Sequence, residues 1–149
     1  MPAEGEPGGL LVVVESPGRS DDAVGRPLTG PAGNLLRPLL AAHWPGPVAI
    51  VNALGCAPGA REVEPSHVEA CRGYLARVFE EVRPTRVLAL GSWAAHAVLG
   101  RGVPPLSTRG AYAHLLAGRF GRAVPVFTAL HPTAALRNRH ARGWFEEDV

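Results

Sequence analysis

We predict an α/β fold, a three-layer α/β/α sandwich with a central, mostly parallel four-stranded sheet. Four short apolar, β-branched runs carry this prediction, at residues 10–14, 48–51, 87–90 and 124–130. Each run is continuous rather than alternating, which is typical of strands buried on both faces of a parallel sheet. Helical patterns lie between the runs, and strands that alternate with helices favour parallel strands joined by right-handed crossovers.

Three stretches between these runs predict helices. Residues 32–43 place leucines at helical spacing. Residues 66–82 open with a capping-box pattern and continue as one apolar stripe, which is the clearest helical pattern of the chain. Residues 93–99 follow Ser92, a residue type that favours the N-cap, and stop at Gly100.

Length and composition indicate one folded domain. The chain has 149 residues, of which 46% are apolar and 19% are charged, so it has enough apolar surface for a core and is not disordered throughout. We therefore expect a single domain over residues 1–149. No apolar run approaches the roughly 20 residues of a membrane span, and the first residues have no apolar signal core. We expect a cytoplasmic protein without a membrane partner.

All basic residues are arginines. The 15 arginines oppose 13 acidic residues and give a formal charge of +2. A GC-rich genome explains this usage, whereas the functional alternative is phosphate contact, because arginine offers planar, bidentate donors. A charge of +2 does not by itself establish nucleic-acid binding.

Several common sites are missing from the sequence. Cys56 and Cys71 form no C-x-x-C pair, so spacing predicts neither a disulfide framework nor a complete metal site. No dinucleotide fingerprint, P-loop or nucleophile elbow is present. The remaining candidate residues lie at the ends of the predicted strands.

Polar residues follow the predicted strands where each strand ends. Glu15 follows the first strand, Asn52 the second, Gly91 and Ser92 the third, and His131 the fourth. In open α/β sheets, ligands bind beyond the carboxyl ends of the strands. The topology therefore delivers a carboxylate, an amide and an imidazole to one edge of the sheet.

Each of these three side chains has a structural and a functional interpretation. Glu15 either belongs to a strand-ending turn or orients a water and stabilises positive charge on a sugar. Asn52 either ties down a loop or reads the hydrogen-bonding edge of a nucleobase. His131 is either a core histidine or a donor to an oxygen that gains negative charge. Arg137 belongs to a solvated helix face or lies where phosphates pass.

At these residues the chain resembles the uracil-DNA glycosylase superfamily, closest to its family 4 branch. The resemblance covers about residues 10–138, with the motifs in order and at matching spacing. Residues 15–18 look like G-E-[AG]-P-G, residues 25–36 like G-x-P-F-V-G-x-A-G-x-L-L, and residues 131–138 like H-P-S-x-L-L-R-N. Residues 51–58 and 89–91 match two further motifs. Five motifs in register are hard to obtain by chance.

The resemblance implies a DNA glycosylase that flips uracil, or a related deaminated or modified base, out of DNA and hydrolyses its N-glycosidic bond. Glu15 and His131 would be catalytic: Glu15 would position water or balance the sugar's charge, and His131 would stabilise the departing base. The base would be bound by Ser16, Pro17, Gly18, Leu28 and Asn52. The DNA would be contacted by Gly91, Ser92, Pro132, Thr133, Leu136, Arg137 and Asn138, with Leu136 or a neighbour entering the emptied stack.

Three departures from the family pattern modify these expectations. Leu28 stands where the family has a Phe that stacks on the base, and such stacking contributes roughly 1–3 kcal/mol per base. Leu28 should therefore weaken binding or suit another base. Ser16 replaces a Gly or Ala and adds a hydroxyl beside the scissile bond. The family 4 branch also holds an iron–sulfur cluster through four cysteines, of which only Cys56 and Cys71 match. We predict no cluster, no other metal and no cofactor.

Two other functions remain open from the sequence. A catalytically weak member of the same fold would bind DNA without releasing a base, which the changes at Ser16 and Leu28 favour. Alternatively, the pocket would hydrolyse free nucleosides or nucleotides, although the arginines around Arg137 argue for a longer, phosphate-bearing partner. We expect a monomer in each case.

Overall fold

A computed structural model describes residues 3–15, 23–54, 71–99, 110–115 and 124–129 of the chain. Its helices and strands follow in the order β1 (Glu4–Gly5), β2 (Leu10–Val14), α1 (Pro31–His43), β3 (Val48–Asn52), α2 (Arg72–Val82), β4 (Arg86–Leu90), α3 (Ser92–Leu99), β5 (Gly110–Leu115) and β6 (Pro125–Ala129). None of the described helices is long and apolar enough to cross a membrane.

The six described strands form one sheet in the order β1-β3-β2-β4-β6-β5. The four predicted strands correspond to β3, β2, β4 and β6, and they pair in parallel at the centre. The α/β class is therefore confirmed, but the described part of the sheet has six strands, two more than the predicted four. Strands β1 and β5 pair antiparallel at the two edges.

The sequence pattern misses both edge strands for physical reasons. Strand β1 has two residues, which is too short to show any periodicity. Strand β5 contains glycine and alanines, which are depleted in strands, and its register shifts between Gly110 and Ala113. Pairing with a neighbouring strand, rather than local propensity, therefore defines these two elements.

Helices cover both faces of the sheet, which gives the predicted three layers. Successive side chains of a strand point to opposite faces, so Leu11 and Val13 of β2 pack with α2 and α3, while Val12 and Val14 pack with α1. All five residues of β2 are buried. This two-sided burial is the reason that the central strands read as continuous apolar runs.

The helix boundaries differ slightly from the predicted ones. Helix α1 starts one residue early, with Pro31 in its first turn, and continues through Pro38 to His43. Helix α2 begins at Arg72 with Cys71 as its N-cap, while the predicted start at residues 66–70 lies outside the described part. Helix α3 begins at Ser92 itself, so the N-cap position belongs to the residue before it rather than to Ser92.

Candidate functional site

The carboxyl ends of the parallel strands meet at one edge of the sheet, the carboxyl rim, defined by Val14, Asn52, Leu90 and Ala129. Val14 lies opposite Asn52 in the pairing of β2 with β3, and Leu90 lies opposite Ala129 in the pairing of β4 with β6. The four strands therefore end level with one another. Among the described residues, the backbone that follows one strand therefore lies beside that of its neighbour, as Glu15 does beside Leu54 and Gly91 beside Ala129.

Backbone hydrogen bonds continue the pairing of β2 with β3 beyond the strand ends. The Ala53 N–H donates to the Val14 carbonyl at 2.8 Å, and the Leu54 N–H donates to the Glu15 carbonyl at 3.0 Å. Neighbouring strands lie about 4.8 Å apart. The backbones of Glu15 and Asn52, 37 positions apart in the sequence numbering, therefore lie next to each other at the carboxyl rim.

Glu15 is half-buried and faces the start of α3. Burial raises the pKa of its carboxyl group, and a hydrogen bond from the backbone N–H of Trp93 acts in the opposite direction. The first N–H groups of a helix have no partner within the helix and favour negative charge. The contact therefore holds the Glu15 carboxylate in place, while partial desolvation makes it a better proton acceptor than an exposed glutamate.

Asn52 is the last residue of β3 and is only 2% exposed. Within the described part of the chain, it and Thr128 are the buried polar residues. Burying an amide costs free energy unless it is hydrogen-bonded. A buried asparagine among Ile50, Val51 and Ala53 is therefore a candidate for a functional role. Its amide offers both a donor and an acceptor, which suits recognition of a heterocycle with the complementary pattern.

Leu28 lies on the α1 side of the sheet. Its side chain is 6% exposed and belongs to the same buried cluster as Val14, Leu90 and Ala129, three residues of the carboxyl rim. Leu28 therefore packs beneath the rim and does not stand out as an exposed stacking surface. Its backbone has a φ of 53°, in the left-handed region that L-residues rarely adopt.

Gly91 joins β4 to α3 at the rim. It is buried with a φ of 94°, a conformation that favours glycine because it has no Cβ. Its N–H donates to the Ala129 carbonyl at 2.9 Å, and its carbonyl accepts from the Ala95 N–H at 3.0 Å. Gly91 therefore occupies the N-cap position of α3 and lets the chain turn sharply from the sheet into the helix that holds Glu15.

The structure thus brings Glu15, Asn52, Gly91 and Leu28 to one end of the sheet. Ser92 opens α3, and its side chain is not described. The remaining predicted site residues lie outside the described residues, and their roles stay predictions: Ser16, Pro17, Gly18, His131, Pro132, Thr133, Leu136, Arg137 and Asn138.

Two residues that matter in this region were not found from the sequence. Trp93 supplies the backbone N–H that binds Glu15, and a helix that starts just beyond a neighbouring strand is the signal that could have predicted it. Arg37 of α1 donates to the Pro27 carbonyl at 2.8 Å and the Leu28 carbonyl at 3.2 Å. No sequence pattern predicts these contacts, because a backbone carbonyl is available at every residue.

The residues present do not supply a complete ligand set for an iron–sulfur cluster. The 149 residues contain two cysteines, and a cluster usually requires four thiolates. Cys71 is half-buried at the start of α2, and Cys56 lies outside the described residues. In the described ranges, no group of three or more His, Cys, Asp or Glu side chains could hold a metal ion.

Comparison with known proteins finds relatives over most of the chain. A sequence model of the uracil DNA glycosylase superfamily matches residues 5–149. The chain is 36% identical over 157 aligned residues to the type-4 uracil-DNA glycosylase of Pyrobaculum aerophilum, an alignment that covers 100% of the chain and 79% of the relative. It is 34% identical over 146 residues to the type-4 uracil-DNA glycosylase of Archaeoglobus fulgidus, covering 93% of the chain and 72% of the relative. For that of Thermotoga maritima, the identity is 34% over 134 residues, 87% of the chain and 67% of the relative.

Proposed function

The chain belongs to the uracil DNA glycosylase superfamily, and we propose on that premise that it excises uracil, or a related deaminated base, from DNA. The observation that supports the proposal is that the parallel pairing of β2 with β3 brings the backbones of Glu15 and Asn52 to the same end of the sheet. A carboxylate and a buried amide that end neighbouring strands, at the edge of a sheet where ligands bind, suit hydrolysis at a base that the amide has recognised.

Asn52 would select the base. Uracil presents an N–H donor next to a carbonyl acceptor on its pairing edge, and one asparagine amide can satisfy both. Because Asn52 is 2% exposed, a base that left this amide without a matching partner would carry the penalty of an unsatisfied buried group. The base must leave the helical stack to reach the amide, which is the usual behaviour of enzymes that act on nucleobases.

Glu15 would serve the sugar side of the reaction. The N-glycosidic bond breaks with its electron pair moving to the base, the sugar gains positive charge at C1′, and water oxygen bonds to that carbon. An ionised Glu15 would stabilise the positive sugar and accept the proton that the water loses. The departing base then takes up a proton from solvent or from the histidine proposed at position 131, and an abasic site remains.

Base release from a defined oligonucleotide tests the proposal. The protein would be incubated with DNA that contains one uracil, and free uracil would be measured by chromatography, with alkaline cleavage as a second readout. We expect release by the wild type and a loss of about 10- to 100-fold in kcat/KM for Asn52→Ala, the range of one lost base contact. Asn34→Ala is the matched control, because Asn34 is exposed on α1 and should leave the rate unchanged.

Other outcomes would contradict the proposal. Salt-dependent DNA binding without release of any deaminated base would favour a DNA-binding role, and release from free nucleosides but not from DNA would favour a small-molecule hydrolase. Equal rates for Asn52→Ala and Asn34→Ala would remove Asn52 from the site. A monomeric state and a cytoplasmic location remain predictions from the sequence.

A further inference from the structure

Leu28 adopts a backbone conformation that its own side chain disfavours. Its φ is 53°, and L-residues with a Cβ crowd the neighbouring carbonyl in this region. Glycine or asparagine would be the usual choice there. A leucine in this conformation persists only where the surrounding structure holds it in place, and the surrounding contacts identify what holds it.

Arg37 binds the carbonyl oxygens of two consecutive residues in this segment. Its Nη2 donates to the Pro27 carbonyl at 2.8 Å, and its Nε donates to the Leu28 carbonyl at 3.2 Å. The same guanidinium is anchored on β1, where Nη1 and Nη2 donate to the two carboxylate oxygens of Glu4 at 2.9 and 3.0 Å. The planar guanidinium therefore binds two backbone carbonyls and one carboxylate at the same time, which a lysine could not reproduce.

Gly33 allows α1 to approach the segment closely enough for these bonds. A Cβ at position 33 would collide with the carbonyl oxygen of Leu28. Gly33 and Arg37 are four residues apart and so share one face of the helix. The close approach at Gly33 therefore brings Arg37, one turn later, within reach of both carbonyls.

Glu4 keeps the guanidinium in position. Burial by itself raises the pKa of the Glu4 carboxyl, but hydrogen bonds from Arg37 and Arg26 outweigh it and lower that pKa. Glu4 therefore remains ionised and paired at neutral pH. Arg26 binds the same carboxylate at 3.1 Å, and its side chain is 57% exposed.

We propose that Arg37 is a positioning residue for the base pocket, which it serves by holding Pro27 and Leu28 in the left-handed turn. This inference rests on the proposed function and on the family resemblance, which implies that position 28 borders the flipped base. Arg37 itself does not touch the base. Its loss would loosen the wall of the pocket, so that the ground state and the transition state lose the same contact and the change appears in KM rather than in kcat.

Arg37→Lys tests the proposal, with Arg26→Lys as the matched control. Both variants keep the charge beside Glu4, but only Arg37 touches the carbonyls of Pro27 and Leu28. We expect Arg37→Lys to raise KM for uracil-containing DNA, and the inhibition constant of free uracil, by the same factor of about five- to tenfold, with kcat within about twofold. Hydrogen exchange in peptides from residues 23–36 should become faster. Arg26→Lys should match the wild type in each measurement.

Several results would overturn the inference. If Arg37→Lys lowers the melting temperature while KM and uracil inhibition stay unchanged, Arg37 is structural only. Unchanged hydrogen exchange in Arg37→Lys would show that Arg37 does not hold the turn at Leu28, whether or not the wild type releases a base. A wild type that released no base would separately refute the proposed function. If Arg37→Lys does not fold, Glu4→Gln replaces it, because it weakens the anchor at similar volume, and the same readouts should shift in the same direction by a smaller factor.

Discussion

Gly33→Ala should destabilise the protein, although alanine is normally the better helix former. The added Cβ would meet the carbonyl oxygen of Leu28, and it would lie 2.6 Å from the carbonyl carbon and 3.1 Å from the Leu28 Cβ. Two of these three atoms are backbone atoms, which cannot rotate away as the end of a flexible side chain could. Either α1 shifts outwards or the turn at Leu28 moves.

The size of the effect follows from what the turn would lose. Moving it breaks the two hydrogen bonds from Arg37, each about 1 kcal/mol, and exposes much of the 6%-exposed Leu28 side chain, about 2 kcal/mol. The higher helix propensity of alanine relative to glycine stabilises the variant by about 1 kcal/mol. The net loss is therefore about 3 kcal/mol, which corresponds to a melting temperature lower by about 6–12 °C for a chain of this size.

Gly73→Ala is the matched control for this prediction. Gly73 is exposed in α2, and a Cβ there would meet nothing within 4 Å, so only the propensity gain of about 0.5–1 kcal/mol applies. Thermal and urea unfolding followed by tryptophan fluorescence should show opposite shifts for the two variants. A Gly33→Ala protein as stable as the wild type, or a shift equal to that of Gly73→Ala, would refute the proposed close packing of α1 on the turn.

Three further predictions concern ionisation, a helix end and the base pocket. Burial raises the pKa of Glu15, so acidification should lower kcat/KM at a higher pH than it would for an enzyme with an exposed glutamate. The pH-rate profile of the weakly active Glu15→Gln variant should lack this acidic fall in kcat/KM. Folding disfavours the ionised form of the Glu15 carboxyl group, so Glu15→Gln should stabilise the protein more at about pH 7 than at about pH 4. Urea unfolding at the two pH values measures this difference, and the opposite trend would refute the burial of Glu15. Arg83 ends α2 with a φ of 48° while its N–H donates to the Phe79 carbonyl, so Arg83→Gly should raise the free energy of unfolding by about 0.5–1 kcal/mol, and a loss would contradict the strain. Leu28→Phe should lower the melting temperature, because overpacking costs about 1–3 kcal/mol. The same variant should lower KM for uracil-containing DNA several-fold, because the phenyl ring would stack on the base. An unchanged KM would place position 28 away from the base.

The central sheet could be predicted from the sequence because its signals are local. Each buried strand is a continuous apolar run, and the polar residue that ends each run is visible in the same few letters. The parallel topology then brings the backbones of Glu15 and Asn52 to the same end of the sheet without any further information. The same reasoning places His131 after the fourth strand, where it remains a prediction.

The contacts that hold the site could not be predicted because they depend on distant backbone atoms. Arg37 and Glu4 are 33 residues apart, and any of the acidic residues is an equally reasonable partner on sequence grounds. The partner of the Glu15 carboxylate is a backbone N–H of Trp93, a group that every residue except proline possesses. The left-handed turn at Leu28 is likewise hidden, because leucine does not signal a positive φ.

A double-mutant cycle on base release tests most directly whether Glu15 and Asn52 act in one site. Single-turnover rates on DNA with one uracil would be measured for the wild type, Glu15→Gln, Asn52→Ala and the double variant. We predict that Glu15→Gln lowers the rate by about 100-fold or more, and that the double variant loses clearly less than the product of the two single losses, because neighbouring groups in one site are coupled. Strictly multiplicative losses, or a wild-type rate in either single variant, would contradict a shared site at the carboxyl rim.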